Sequence, residues 1–156
     1  MYEPENEPDP MAELTLAECW ERLKAEECAR LAYHLAGEVH IAPINYTTDG
    51  ARIYFRTSEG SKLLGMTMNK DVAVEIDHWS DDVAWSVLLR GLARVLEGHE
   101  ALVVEDLPLR PWVPTAKHVV IAITPHVVTG RTFHLRRPWT HMRPEGSGAG
   151  DDGAAQ

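Results

Sequence analysis

Leu16, Cys19, Trp20 and Leu23 recur three or four residues apart, the spacing of one helix face. Thr15-Leu16-Ala17-Glu18 opens this stretch as a capping box, a hydroxyl followed three residues later by a carboxylate. An amphipathic helix is therefore predicted over 16–26. Beyond it the period changes to two. Residues 29–35 and 38–46 read as a hairpin about Ala36-Gly37. Ile53 and Phe55 share one face of a strand over 51–57, while Arg52, Tyr54 and Arg56 share the other. Asp49-Gly50 marks the turn before it. Residues 61–69 suit a short helix with Leu64 and Met68 on one side. Val72, Val74 and Ile76 then alternate with Ala73, Glu75 and Asp77. The stretch 83–96 is a long strand, with Trp85, Val87, Leu89, Gly91, Ala93 and Val95 on one face and Ser86, Arg90 and Arg94 on the other. A short helix near 99–106 precedes an irregular segment punctuated by Pro108, Pro111 and Pro114. The last strands are placed at 117–124 and 126–135, with Thr124-Pro125 as a bend. Long alternating strands on short connections predict a mainly β fold, an antiparallel barrel with short helices outside it.

The chain has 156 residues, 44% hydrophobic and 25% charged, the balance of one globular domain. Its net charge of −9 is concentrated at the ends. Glu3, Glu5, Glu7 and Asp9 carry −4 and residues 143–156 carry −2, which leaves −3 between them. Residues 1–11 read as a disordered acidic leader, 12–139 as the folded domain and 140–156 as a disordered tail. An acidic domain disfavours nucleic acid and anionic membranes as partners. No apolar run approaches the ~20 residues of a membrane helix, and the acidic start lacks the form of a signal peptide. Cys19 and Cys28 make neither a redox pair nor a zinc set, so a cytoplasmic location is expected.

Phe55-Arg56-Thr57-Ser58-Glu59-Gly60-Ser61-Lys62 runs from a strand through a glycine loop into a helix. The first turn of a helix presents unpaired N–H groups to an anion. Arg56 adds a fork suited to phosphate oxygens, Lys62 a compact charge, and Thr57 and Ser61 hydroxyl donors. This segment is a candidate monophosphate cradle; a surface turn with a serine cap is the alternative. Pro43 in Ala42-Pro43-Ile44-Asn45-Tyr46 calls for an edge or bulge, where a ligand could approach the backbone. Trp85 belongs with the apolar face and Ser86 with the outer one. His118, His126 and His134 stand eight apart, about 26 Å along a strand, too far to share an ion. His99-Glu100 lacks the second histidine of a zincin helix, and no hydrolase elbow occurs. No metal site is expected.

In this order and spacing, these segments resemble the pyridoxamine 5′-phosphate oxidase-related split-barrel flavoproteins. The resemblance runs from Leu14 to Arg131 and takes in Trp85-Ser86-Val87-Leu88-Leu89-Arg90-Gly91, Leu107-Pro108-Leu109-Arg110-Pro111-Trp112 and Thr129-Gly130-Arg131. It implies a six-stranded split barrel, a homodimer and FMN in grooves at the subunit interface. Arg56, Thr57, Ser61 and Lys62 would hold the FMN phosphate. Pro43, Ile44, Asn45 and Tyr46 would line the isoalloxazine ring. Trp85 and Ser86 would contact FMN or the dimer seam, with Trp112 and Arg131 as further contacts. The implied activity is flavin-mediated hydride or electron transfer to a small molecule, with NAD(P)H as a possible donor. No acid or base stands out in the sequence, which suits chemistry carried by a cofactor. The alternatives are a flavin-binding or redox-sensing module without turnover, and an F420-dependent reductase using Arg90, Arg94 and Lys117; other relatives bind haem. Authentic pyridoxamine phosphate oxidases end in an ordered basic segment. Here Arg136-Arg137-Pro138-Trp139 leads into the tail instead, which argues against vitamin B6 oxidation.

Overall fold

The capping box forms as the sequence predicts. In the computed structural model, which describes residues 9–58, 71–108 and 118–135, the Thr15 hydroxyl accepts from the Glu18 N–H at 3.2 Å and the Glu18 carboxylate accepts from the Thr15 N–H at 3.2 Å. Helix α1 (Leu16–Ala25) follows a short strand, β1 (Met11–Glu13). Cys19 and Leu23 on its apolar face are buried in the barrel core. Its last turn is tied to the sheet: the Tyr46 hydroxyl donates to the Leu23 carbonyl at 2.6 Å and the Tyr46 N–H to the Glu27 carbonyl at 2.9 Å. Burial pushes the Tyr46 phenol well above its ordinary pKa, so it stays a donor there.

Strands β2 (Cys28–Leu35) and β3 (Glu38–Thr48) form the expected hairpin. Ala36 and Gly37 both have positive φ, 51° and 79°, the type I′ geometry that matches the twist of the flanking strands. Strand β4 (Ile53–Ser58) starts after the Asp49-Gly50 turn, with Gly50 at φ 88°. Strands β5 (Asp71–Trp79), β6 (Val83–Leu96) and β7 (His118–His134) complete the sheet. Its order is β1-β7-β4-β3-β2-β5-β6, and β6 also pairs with β7, so six strands close into an antiparallel barrel with β1 added outside the ring. Val72, Val74, Ile76, Val87 and Leu89 fill the interior, as their alternation predicts.

The break expected at Thr124-Pro125 is absent: β7 is one strand of 17 residues. It pairs with β4 through Ile123 and with β6 through His134. The register shifts between Arg90↔Val127 and Gly91↔Pro125. This bulge leaves His126 without a rung and admits a proline that donates no ladder hydrogen bond. Gly91 makes it possible, since a Cβ there would lie 2.3 Å from the Thr124 carbonyl oxygen.

Tyr54 shows how part of the outer face is covered. It lies on the outer face of β4, as alternation predicts, yet it is fully buried. The predicted helix near 99–106 is a 3₁₀ helix, Gly98–Asp106, whose Val103 and Val104 pack over Tyr54, Val120 and Ala122 outside the barrel. The Tyr54 hydroxyl donates to Asp49 Oδ2 at 2.8 Å, while Asp49 Oδ1 accepts from the N–H groups of Ala51 and Arg52 at 2.9 and 2.8 Å. Burial raises the Asp49 pKa, but these donors outweigh it and hold the carboxyl below its ordinary value. A lowered folded-state pKa stabilises the fold above the unfolded value, and that stability is lost as pH falls through the folded one. Urea midpoints measured from pH 5 to pH 3 should therefore fall less steeply in Asp49→Asn than in the parent. Asp49→Ala strands the Tyr54 hydroxyl and should cost about 1–3 kcal/mol.

Residues 61–69 and 109–117, where a helix and the Trp112 segment were expected, lie outside the described residues, as do 1–8 and 136–156. Among the described residues no helix is long and apolar enough to cross a membrane.

Candidate functional site

β3 stays on β2 from Asn45 back to Glu38 but leaves β4 after the Tyr46↔Phe55 rung. β4 goes on with β7 to Ser58↔His118. The barrel thus forks between β3 and β4, and Asn45 and Arg56 are the first residues past the fork on the two strands. Tyr46 and Phe55 are buried in the core, so alternation turns Asn45 and Arg56 to the outer face.

Among the described residues, these two hold the buried side-chain atoms that find no hydrogen-bond partner. Asn45 Nδ2 donates to the Glu27 carbonyl at 3.0 Å, but its Oδ1 is buried without a partner. Arg56 Nε is likewise buried without one. An Arg56 terminal nitrogen lies 3.8 Å from a Glu105 oxygen, and the arginine side chain is only 23% exposed. That separation balances charge but is too long for a hydrogen bond. A buried donor or acceptor without a partner costs about 1–3 kcal/mol. A ligand seated at the fork that offers Arg56 an anion and Asn45 a hydrogen-bond donor would relieve both costs.

The remaining predicted site residues are dispersed over the barrel. Pro43 is exposed on the outer face, where only β2 flanks β3. Ile44 and Tyr46 turn into the core at 5% and 2% exposure, so their side chains do not line the outer face and only their backbone can meet a ligand there. Thr57 is buried on β4. Ser61, Lys62 and Trp112 lie outside the described residues. Trp85, half-buried, faces the barrel end under α1, with the Arg22 guanidinium 4.5 Å above its ring and the His78 ring 6.1 Å away. Ser86 faces outward, paired across the sheet with Asp77 and with exposed Arg131.

The register also relates these groups. Arg131, Ser86 and Asp77 form one row across β7, β6 and β5, and Cys28 pairs with Asn45 across β2 and β3. Arg56 pairs with Val120 on β7, 11 positions along that strand from Arg131. The chain therefore places Asn45 and Arg56 at the fork with Pro43 two residues along β3, and pairs Ser86 with Arg131 elsewhere on the outer face.

A family model for pyridoxamine 5′-phosphate oxidase matches residues 15–132, from the cap of α1 to the outer end of β7. The chain belongs to that family. Among solved structures, a Corynebacterium glutamicum protein provisionally assigned as a pyridoxamine 5′-phosphate oxidase is 36% identical, with a TM-score of 0.75 over 82% of this chain and 96% of that one. The FAD binding protein of Mycobacterium smegmatis is 32% identical, with a TM-score of 0.73 over 80% of this chain and 100% of that one. An uncharacterised Mycobacterium tuberculosis protein is 28% identical over 127 residues, 77% of this chain and 84% of its own length.

In this member of the oxidase family, several residues that the sequence did not single out shape the site. Glu105 faces Arg56 from the 3₁₀ helix. Arg30 bridges Glu75 and Asp77 at 2.8 and 3.1 Å on the outer face of β2 and β5. Burial holds the Glu75 carboxyl above its ordinary pKa, against the pull of Arg30. Alternation placed Glu75 and Asp77 on one face. Which cation they meet depends on the β2–β5 register, which the sequence does not display.

Proposed function

We propose that the chain is a flavin-dependent oxidoreductase that binds the phosphate of FMN or FAD at the β3–β4 fork. The observation that carries this reading is the pair of buried atoms, Asn45 Oδ1 and Arg56 Nε, that have no partner among the described residues at the fork. Arg56 would hold a phosphate oxygen through a charge-assisted hydrogen bond. The hydroxyl-bearing chain next to a flavin phosphate offers O–H donors suited to Asn45 Oδ1. Ser61 and Lys62, next along the chain, would complete the cradle. The M. smegmatis relative named for FAD binding supports a flavin over F420.

Bound flavin supplies the redox step, accepting a hydride or electrons and passing them on. The chain's own part is to hold the phosphate, anchor the fork through Asn45 and the Glu27 carbonyl, and shield the ring from water. A homodimer fits this role. A second copy would carry Trp85, Ser86 and Arg131 to a fork they do not reach in their own protomer. Val39 and Ile41, 69% and 71% exposed, and Leu88 and Leu92 lie on the same outer face and would be covered by that contact.

The test is the absorbance spectrum, the released small molecule and the sedimentation mass of the purified protein. A flavin spectrum, FMN or FAD by mass spectrometry and twice the 17.4 kDa chain mass are expected. F420, a Soret band or a monomer would contradict the reading. Bleaching of the flavin band under anaerobic NAD(P)H separates turnover from a binding module.

A further inference from the structure

β6 presents Ala84 and Ser86 to the outer face, and the rungs on either side extend each into a row. Trp79, Ala84, Phe133 and Met11 are successive partners across β5, β6, β7 and β1. Trp79 is 63% exposed and Met11 41%, and Phe133 is half-buried. An apolar strip left open on a sheet face marks a binding surface. Trp79 and Phe133 stand two strand spacings apart, about 10 Å, and only the Ala84 methyl lies between them. The gap is a shelf on which a planar ring can stack against the Trp79 indole.

The neighbouring row, two residues along the strands and about 7 Å away, is polar. Asp77, Ser86, Arg131 and Glu13 are successive partners in it. Asp77 is already held by Arg30 at 3.1 Å. Arg131 has no ion pair among the described residues, so its guanidinium is available to an anion. Glu13, across β1 from it, is a carboxylate of the kind that accepts from ribose hydroxyls. An aromatic row and, one ribose away, a row with a carboxylate and a guanidinium match the three parts of a nucleotide. We propose that this face binds a nucleoside 5′-phosphate group, with its base on the shelf between Trp79 and Phe133 and its phosphate on Arg131. The net charge of −3 between the acidic ends disfavours a polyanionic nucleic acid, which leaves a mononucleotide or a dinucleotide. The adenylyl halves of FAD and of a nicotinamide dinucleotide share this chemistry. Neither Trp79 nor Phe133 belongs to the β3–β4 fork, so the shelf does not depend on where a flavin phosphate sits.

The experiment titrates the full chain, freed of bound nucleotide, by calorimetry with 5′-AMP, ribose 5-phosphate, FMN, FAD and NADH, for the parent, Trp79→Ala and Trp79→Phe. AMP is expected to bind the parent about tenfold more tightly than ribose 5-phosphate, because a base stacked on an aromatic side chain contributes that much. Trp79→Ala is expected to raise the Kd for AMP about tenfold and Trp79→Phe to restore most of the loss, with the melting temperature unchanged because Trp79 is exposed. A parallel loss for FAD with FMN unaffected assigns the base to FAD, a parallel loss for NADH assigns it to a nicotinamide dinucleotide, and a loss for AMP alone assigns the shelf to a free nucleotide. A parent that does not bind AMP, or an AMP affinity that Trp79→Ala leaves intact, overturns the proposal. Equal losses for FMN and FAD also overturn it, since Trp79 would then contact the flavin and not a second base.

Discussion

Arg56→Ala is expected to raise the Kd for FMN and FAD at least tenfold and to leave the melting temperature within a few degrees of the parent. The affinity loss follows from removing charge-assisted hydrogen bonds, each worth about 1.5–3 kcal/mol. The small stability effect follows from the surroundings of the side chain. Its one ion pair among the described residues is a 3.8 Å contact with a mostly exposed Glu105, and such pairs contribute about 0–1 kcal/mol. Removing Arg56 also removes a buried donor that has no partner among the described residues, which offsets part of the lost packing. Titration by fluorescence and a thermal melt on the same preparation separate the two effects. A large fall in melting temperature with unchanged flavin affinity would make Arg56 a structural residue.

Gly91→Ala should be among the most damaging single-methyl substitutions in the barrel, costing about 3 kcal/mol. The added Cβ would stand 2.3 Å from the Thr124 carbonyl oxygen and 2.9 Å from Pro125 Cα, both backbone atoms with no rotamer to adjust. Relief requires β6 and β7 to separate at the bulge, and β6–β7 pairing extends from Val83 to Leu96. For a chain of this size the cost corresponds to a melting temperature lower by about 6–12 °C. The effect also reaches the site, because the same ladder holds the Ser86↔Arg131 rung. A variant that melts with the parent would show that the close approach at Gly91 is easily relaxed.

Much of the fold was legible because its signals are local. The Thr15–Glu18 box, the Ala36-Gly37 turn and the alternation from Val83 to Leu96 each depend on neighbours in sequence, and each forms where expected. Pro125 misled because a missing N–H normally ends a strand; the compensating space comes from Gly91, 34 positions earlier and on another strand. β1 escaped notice because three residues cannot establish a period. The candidate site was legible to the same degree. Alternation alone turned Arg56 outward and Phe55 inward. It also turns Ile44 and Tyr46 into the core, and so separates their side chains from the Asn45 beside them. Neither the fork that isolates Asn45 and Arg56 nor the carboxylate of Glu105 opposite Arg56 has a sequence signature, since both depend on which strands remain paired and where the 3₁₀ helix docks.

The most direct test is a crystal structure of the protein with flavin bound. A phosphate oxygen is expected within hydrogen-bonding distance of Arg56 Nε, with a ligand donor on Asn45 Oδ1 and Trp85 or Ser86 of a second copy beside the same flavin. A flavin seated away from the β3–β4 fork, with Asn45 Oδ1 and Arg56 Nε satisfied by the protein's own side chains, would contradict it.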